Sequence, residues 1–341
     1  MKILVTGAAG FIGFHLTSRL LREGHEVVGV DNLNSYYSPT LKLARLAELG
    51  IVTTLGKIGE MVESQNHTSF RFVEADISDR EFMPALFRSE SFDTVVNLAA
   101  QAGVRYSIEN PFAYVESNVV GFLNILECCR YNQIKHLVYA SSSSVYGSNE
   151  KIPFAESDNV DCPESLYAAT KRSDELMASC YAKLYNLRST GLRFFTVYGP
   201  WGRPDMAPML FADAISSGRP LKLFNGGDME RDFTFIDDIV EGVMRVILSA
   251  EHKTTNNRPH EIYNIGNSAP VKLNDFIAEI ENQLGCKAER ELLPMQAGDV
   301  KRTYADTSLL EQRFGYRPTT SLHDGVKAFI DWYKNYKRTD I

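Results

Sequence analysis

Cysteine is sparse in this 341-residue chain and forms no pattern. The five residues Cys128, Cys129, Cys162, Cys180 and Cys286 are odd in number and contain no C-x-x-C pair. That argues against a disulfide framework and a zinc ribbon, and fits reduced thiols in a cytoplasm. The seven histidines stand singly, with no H-x-x-x-H, so no metal site is expected. Basic residues are outnumbered by acidic ones, 36 to 43, for a formal charge of −7. No nucleic-acid partner is expected from that balance. The nearest thing to a basic run, Lys334, Lys337 and Arg338, reads as the solvated end of a last helix. No apolar run reaches the roughly 18 residues of a membrane span. The first six residues lead straight into a glycine loop, with no leader-like apolar segment.

What the chain has is rhythm. Strand-like apolar runs at Lys2–Thr6, Glu26–Asp31, Phe70–Glu74, Thr94–Leu98, His136–Ser141 and Arg188–Phe195 alternate with amphipathic stretches. Across Pro111–Asn132, Phe112, Val115, Val119, Phe122 and Leu126 recur at helical steps. Such alternation predicts an α/β fold, a doubly wound parallel sheet of the Rossmann kind covered on both faces. Residues 51–69 break the pattern and read as an irregular insertion. After Phe195, prolines and glycines punctuate shorter, mixed elements. A helix over Asp237–Ser249 and a strand over Glu261–Ile265 read as returns to the sheet. The expected division is a dinucleotide domain over 1–195, with returning segments near 234–267. A smaller α/β substrate domain, mainly 196–341, completes it.

Gly7-Ala8-Ala9-Gly10-Phe11-Ile12-Gly13 follows the first strand and opens a helix. The first glycine permits a tight turn, the second lets the backbone approach a pyrophosphate, and the third lets helix and strand pack closely. The helix N-terminus offers free N–H groups to phosphate. The second strand ends in Asp31, followed by Asn32. An acid there accepts hydrogen bonds from a ribose and repels a 2′-phosphate, which favours NAD over NADP. Asp76-Ile77 and Leu98-Ala99-Ala100 stand at the ends of the third and fourth strands, where ligands bind in such sheets. Asp76 reads equally as a helix cap.

Tyr167 and Lys171 lie at i and i+4, on one face of a helix. A tyrosine is a poor base at its reference value of about 10. A nearby lysine and an oxidised nicotinamide can each lower such a value by roughly 1–3 units. The hydroxyl run Ser141–Ser144 sits one element earlier, at the carboxyl end of the fifth strand. A serine there can hold a reacting sugar oxygen and relay its proton.

With these motifs the chain resembles an extended short-chain dehydrogenase/reductase of the nucleotide-sugar epimerase/dehydratase family, from Lys2 to about Asp306. The resemblance implies catalytic roles for Ser142, Tyr167 and Lys171. It implies NAD contacts from the glycine loop, Asp31, Asn32, Asp76, Ile77, Leu98, Ala99 and Ala100, with Tyr167 and Lys171. NAD would be tightly bound and regenerated each cycle. No carboxylate follows Ser142, as dehydratases and decarboxylases would need, and no cysteine–histidine pair is placed as in GDP-fucose synthases. Epimerisation remains.

The segment Leu192–Ala207, with Arg203-Pro204-Asp205-Met206 near its end, resembles the UDP-glucuronate 4-epimerases. Ala100–Ser107, which contains Arg105, and Asp31–Tyr37 do so as well. This implies epimerisation of UDP-glucuronate to UDP-galacturonate through a 4-keto sugar, as part of carbohydrate metabolism and polysaccharide biosynthesis. Arg203 is suited to grip a carboxylate; a salt bridge within its Pro/Gly-rich loop is the lesser alternative. Ser143, Ser144 and Thr196 are hydroxyl donors for the sugar. By resemblance, Arg231 pairs with the diphosphate and Asp299 meets the uridine ribose. Phe224 and Met209 either flank the uracil or simply pack in the core. A 4-epimerase of neutral or N-acetylated UDP-hexoses and an NAD-sensing regulator are the alternatives; the intact Ser142, Tyr167 and Lys171 speak against the regulator. The family commonly dimerises through a four-helix bundle, here Pro111–Asn132 and Leu166–Asn186.

Overall fold

The computed structural model describes residues 1–249, 259–294 and 301–339. Every strand-like run of the first half forms a strand. They are β1 (Lys2–Thr6), β2 (Glu26–Asp31), β4 (Phe70–Glu74), β5 (Thr94–Asn97), β6 (His136–Ser142) and β7 (Ser189–Phe194), with a further strand, β3 (Met61–Glu63), between β2 and β4 in the chain. Four short strands follow: β8 (Thr196–Tyr198), β9 (Leu221–Phe224), β10 (Glu230–Arg231) and β11 (Phe233–Phe235). Then come β12 (His260–Ile265), β13 (Val271–Lys272) and β14 (Arg290–Leu293).

The large sheet has the order β12-β7-β6-β5-β1-β2-β4-β3 and is parallel except for β3. Its register explains why the runs are almost wholly apolar. Leu4, Val28, Val95 and Leu137 align across four strands and pack into one layer. Val5, Val96 and Val138 align on the other face and pack into the opposite layer. A sheet buried on both faces leaves no room for polar alternation. The order reverses at β1, which lies between β2 and β5. Strands therefore run outward in both directions from a crevice at their carboxyl ends, the position where ligands sit in open α/β sheets.

The two expected returns are present. The Ile236–Leu248 helix packs on the Phe11–Arg22 helix, and Arg19 reaches Glu241 at 3.0 Å. β12 pairs in parallel with β7 at the edge of the sheet. The short strands form three separate pairs, β8 with β11, β9 with β14, and β10 with β13. Phe233 of β11 stacks on Phe276 at 4.0 Å.

Two expectations need correction. Residues 51–69 are not wholly irregular: Met61, Val62 and Glu63 form β3 and pair antiparallel with Val73, Phe72 and Arg71. Three residues are too few to show a period, and the open edge of β4 supplies the backbone partners that recruit them. Pro111–Asn132 is not one regular helix. It runs Pro111–Tyr114, a π-helical stretch Val115–Val120, then Gly121–Tyr131. The wide turn carries Asn118, whose buried amide bonds the Gln101 carbonyl and Thr170 Oγ1 while its oxygen accepts from the Gln101 N–H. Satisfying that buried amide is a physical reason for the local widening. The apolar stripe is also divided: Phe122 and Leu126 are buried, whereas Phe112 is 83 % exposed.

Candidate active site

One cleft opens at the carboxyl ends of the strands, and the structure brings most of the expected residues to its walls. The glycine loop forms its floor. Gly7 adopts φ +69°, a left-handed conformation that favours glycine. A Cβ on Gly7 would lie 2.8 Å from the Ala99 nitrogen, and one on Gly13 would lie 2.1 Å from the Gly7 carbonyl oxygen. The loop is thus a cradle only hydrogen atoms can line. Gly10 caps the following helix in an extended conformation, with no side chain bonded to the first-turn N–H groups. Phe11, Ile12, Leu98, Ala99 and Ala100 stand around this loop. These features fit a dinucleotide pyrophosphate.

Asp31 is buried at the end of β2. Its carboxylate accepts from the Ala9 and Leu33 N–H groups at 3.2 and 2.9 Å. Lys42 reaches it at 3.4 Å and is itself buried. Nothing in the sequence marked Lys42, since it lies on a separate helix whose docking decides its partner. Asn32 donates to Asp76 at 2.8 Å, and Ser78 gives Asp76 both its N–H and its hydroxyl. Burial pushes the Asp76 carboxyl up, but these donors hold it below the usual range. Asp76 and Ile77 line the same cleft.

Ser142 ends β6 and caps a short 3₁₀ turn, its oxygen accepting from the Ser144 N–H at 3.2 Å. Its hydroxyl also donates to Ser144 Oγ at 3.2 Å. Ser143 and Ser144 line the cleft beside it, as does Thr196 at the start of β8. Tyr167 and Lys171 project from the first turns of the Leu166–Tyr185 helix, which Ser165 caps by accepting from the Ala168 N–H at 3.1 Å. Tyr167 meets Tyr114 edge to face at 6.0 Å. The Lys171 ammonium pairs with Asp174 at 3.0 Å. Burial pushes the Asp174 carboxyl up to about 7, against the pull of Lys171.

A buried knot ties the serine strand to the tyrosine helix. Glu175 accepts from Ser141 at 2.6 Å, from Arg193 at 2.8 and 2.9 Å, and from Arg172 at 3.0 Å. Burial raises the Glu175 carboxyl, but these cations and the hydroxyl hold it below the usual range. A buried, fully paired charge of this kind fixes geometry more than it adds stability. Glu175 and Arg193 were not legible as site supports, because their partners come from three different elements.

Arg203 lines the cleft and is bonded bidentately to Asp205, with Nε and Nη2 at 3.0 and 2.5 Å from its two oxygens. The salt-bridge reading of Arg203 therefore describes this geometry. Four other expected substrate residues are not on the cleft wall. Met209 is buried in the core cluster. Phe224 is half-buried, and the exposed Arg105 lies 5.1 Å over its ring. Arg231 turns toward the Glu230 and Lys301 carbonyls at 3.0 and 3.2 Å. Asp299 falls outside the described residues. No His, Cys, Asp or Glu cluster among the described residues could hold a metal, and no helix there is long and apolar enough to cross a membrane.

Known proteins share both sequence and fold with this chain. Residues 3–266 match the model of the NAD dependent epimerase/dehydratase family. The chain is 48 % identical to Protein CapI of Staphylococcus aureus, over 98 % of this chain and 99 % of that protein. It is 46 % identical to a probable UDP-glucuronate 4-epimerase of Rhizobium meliloti, over 99 % of this chain and 98 % of that one. A crystal structure of UDP-glucuronic acid 4-epimerase from Bacillus cereus, in complex with UDP-glucuronic acid and NAD, superposes with a TM-score of 0.87 at 34 % identity. It covers 98 % of this chain and all of that one. A glycine cradle at the switch point, a serine-bearing strand end and a tyrosine–lysine helix thus occur in a chain that belongs to the NAD dependent epimerase/dehydratase family.

Proposed function

We propose that this protein catalyses the NAD-dependent 4-epimerisation of UDP-glucuronate to UDP-galacturonate through a 4-keto intermediate. The observation that carries the reading is one cleft holding the glycine cradle, Asp31, Ser142, Tyr167 and Lys171. Relatives and a solved structure bearing the name UDP-glucuronate 4-epimerase support it.

Gly7, Gly10, Phe11, Ile12 and Gly13 hold the NAD pyrophosphate, and Asp31 with Asn32 holds the adenosine ribose. Asp76, Ile77, Leu98, Ala99 and Ala100, which line the same cleft, would contribute further NAD contacts. When bound, NAD supplies the hydride acceptor and donor for the sugar's carbon 4. Tyr167 takes the proton of the 4-hydroxyl as general base and returns it to the ketone. Ser142 holds that oxygen and relays the proton. Lys171 supports the tyrosine from the next helical turn. The 4-keto sugar turns over between the two half-reactions, still held by its UDP. Arg231, Asp299 and Phe224, in the mainly 196–341 part of the chain, are the proposed contacts to that half, with Arg105 from the loop after β5; Met209 packs in the core instead. Residues 1–195, with the segments near 234–267, form the NAD-binding part.

The keto intermediate of a uronic acid is a β-keto acid, prone to lose carbon dioxide. Ser143, Ser144, Thr196 and Arg203, which line the same cleft, are the proposed holders of its carboxylate, keeping it out of alignment with the ketone. The protein works as a cytoplasmic homodimer and supplies an acidic sugar nucleotide for polysaccharide biosynthesis. The deciding experiment is incubation with UDP-glucuronate, UDP-glucose and UDP-N-acetylglucosamine, with products identified by NMR. UDP-galacturonate from UDP-glucuronate is the expected outcome. Turnover of the neutral sugars alone would replace this reading with a neutral-hexose epimerase.

A further inference from the structure

The Arg203 guanidinium does not meet the cleft as a free cation. Asp205 takes its Nε and Nη2, and the Ala102 carbonyl accepts from Nη2 at 3.3 Å. The Tyr36 hydroxyl donates to Asp205 Oδ2 at 2.9 Å. Three loops converge here, one after β2, one after β5 and one after β8. They pack closely: a Cβ on Gly103 would lie 2.9 Å from the Tyr36 hydroxyl oxygen. The guanidinium also lies 5.7 Å over the Tyr36 ring.

This pair differs from a purely structural one. The Arg193–Glu175 side chains are 2 % and 0 % exposed, beyond reach of any ligand. Those of Arg203 and Asp205 are 20 % and 28 % exposed, and Arg203 and Tyr36 both line the cleft. Burial and the Asp205 charge push the Tyr36 phenol up to about 12, so it remains a donor across the working pH range.

We propose that Asp205 is a specificity-determining residue, an internal carboxylate that occupies the Arg203 fork until the carboxylate of a bound sugar replaces it. This rests on the uronate reading above. The exchange conserves charge-assisted bonds: two are released from Asp205 and two form with the ligand. Released without another donor, Asp205 would be a half-buried, unpaired anion beside an incoming anion, which is costly. Tyr36 is that donor, already bonded to Asp205 before exchange. A neutral hexose brings no group that can enter the fork, so the Arg203–Asp205 pair stays closed. Selectivity then arises from which ligand can open the pair.

The test is calorimetric binding of UDP-glucuronate and UDP-glucose to the NAD-loaded protein, with melting curves as a control. Asp205→Asn keeps the shape and one acceptor but removes the competing charge. UDP-glucuronate binding should tighten about tenfold, while UDP-glucose stays within about twofold. Tyr36→Phe removes the retaining donor and should weaken UDP-glucuronate by about threefold or more, again sparing UDP-glucose. Weaker UDP-glucuronate binding in Asp205→Asn, or equal changes for both sugars, overturns the proposal. If Asp205→Asn does not fold, Tyr36→Phe decides alone, and unchanged UDP-glucuronate binding overturns it. Binding constants judge the exchange whether or not turnover occurs. Failure of the wild type to epimerise UDP-glucuronate is a separate result, and it rejects the functional reading instead.

Discussion

The Lys171 ammonium and the Asp174 carboxylate lie 3.0 Å apart within one helix, with side chains only 3 % and 1 % exposed. Asp174 Oδ1 has no hydrogen-bond partner among the described residues, so the lysine is the group there that makes this buried carboxylate tolerable. Asp174→Leu leaves an isolated buried ammonium one helical turn from Tyr167. It should cost about 3–5 kcal/mol. The double variant Lys171→Met/Asp174→Leu should recover most of that stability, because neither charge then remains. Urea unfolding at pH 8 measures both. Equal stability of the single and double variants would show that the pair is not coupled.

Tyr167→Phe removes one hydroxyl from the residues lining the cleft and leaves the edge-to-face contact with Tyr114. Turnover of UDP-glucuronate should fall by about 10²–10⁴-fold, with the melting temperature and bound NAD unchanged. A variant that keeps more than about a tenth of the wild-type rate would contradict the general-base role.

Gly13→Ala places a methyl group where the Gly7 carbonyl oxygen already stands, 2.1 Å away. The contact is with backbone, so the loop must move and the cradle opens. The purified variant should carry little or no NAD, read by extracting the cofactor from denatured protein. Full NAD content would show that this loop does not shape the site.

Burial holds three histidines neutral, His15 at about 4, His136 at about 3 and His260 at about 4. Each value lies below the roughly 6.5 of an unfolded histidine. In that window the unfolded chain binds more protons than the folded one. The stability they contribute is complete above pH 6.5 and is lost as pH falls toward 4. The melting temperature should drop most steeply across that range. His136→Gln, in a variant that still folds, should make the slope shallower; an unchanged slope would remove His136 from the account.

Phe112, Leu176 and Leu184 are 83 %, 52 % and 70 % exposed on the two helices proposed to pair with a second copy. An isologous interface covering them should bury more than about 1,000 Å². Light scattering at micromolar protein should give two chain masses, and Leu176→Arg/Phe112→Glu should give one. A wild type with a single chain mass would be incompatible with the dimer.

The strands, the glycine loop and the spacing of Tyr167 and Lys171 were legible in the amino-acid order alone. Each is written in short-range terms: an apolar run, a turn that admits no side chain, a four-residue step along a helix. β3 and the π-helical turn at Val115–Val120 were not legible. One depends on the free edge of β4 and the other on Asn118 finding Gln101 and Thr170. In the same way, the sequence favoured a carboxylate grip for Arg203 over a salt bridge and did not reveal Asp205 as its partner. Tyr36 and Asp205 stand 169 positions apart, and only the folded loops bring them to one guanidinium. Local chemistry determined the scaffold and the spacing of the candidate catalytic groups, because periodicity and steric demand act between near neighbours. Tertiary structure alone decided which charges meet across the cleft, because side-chain pairing depends on distances that the order of residues does not contain.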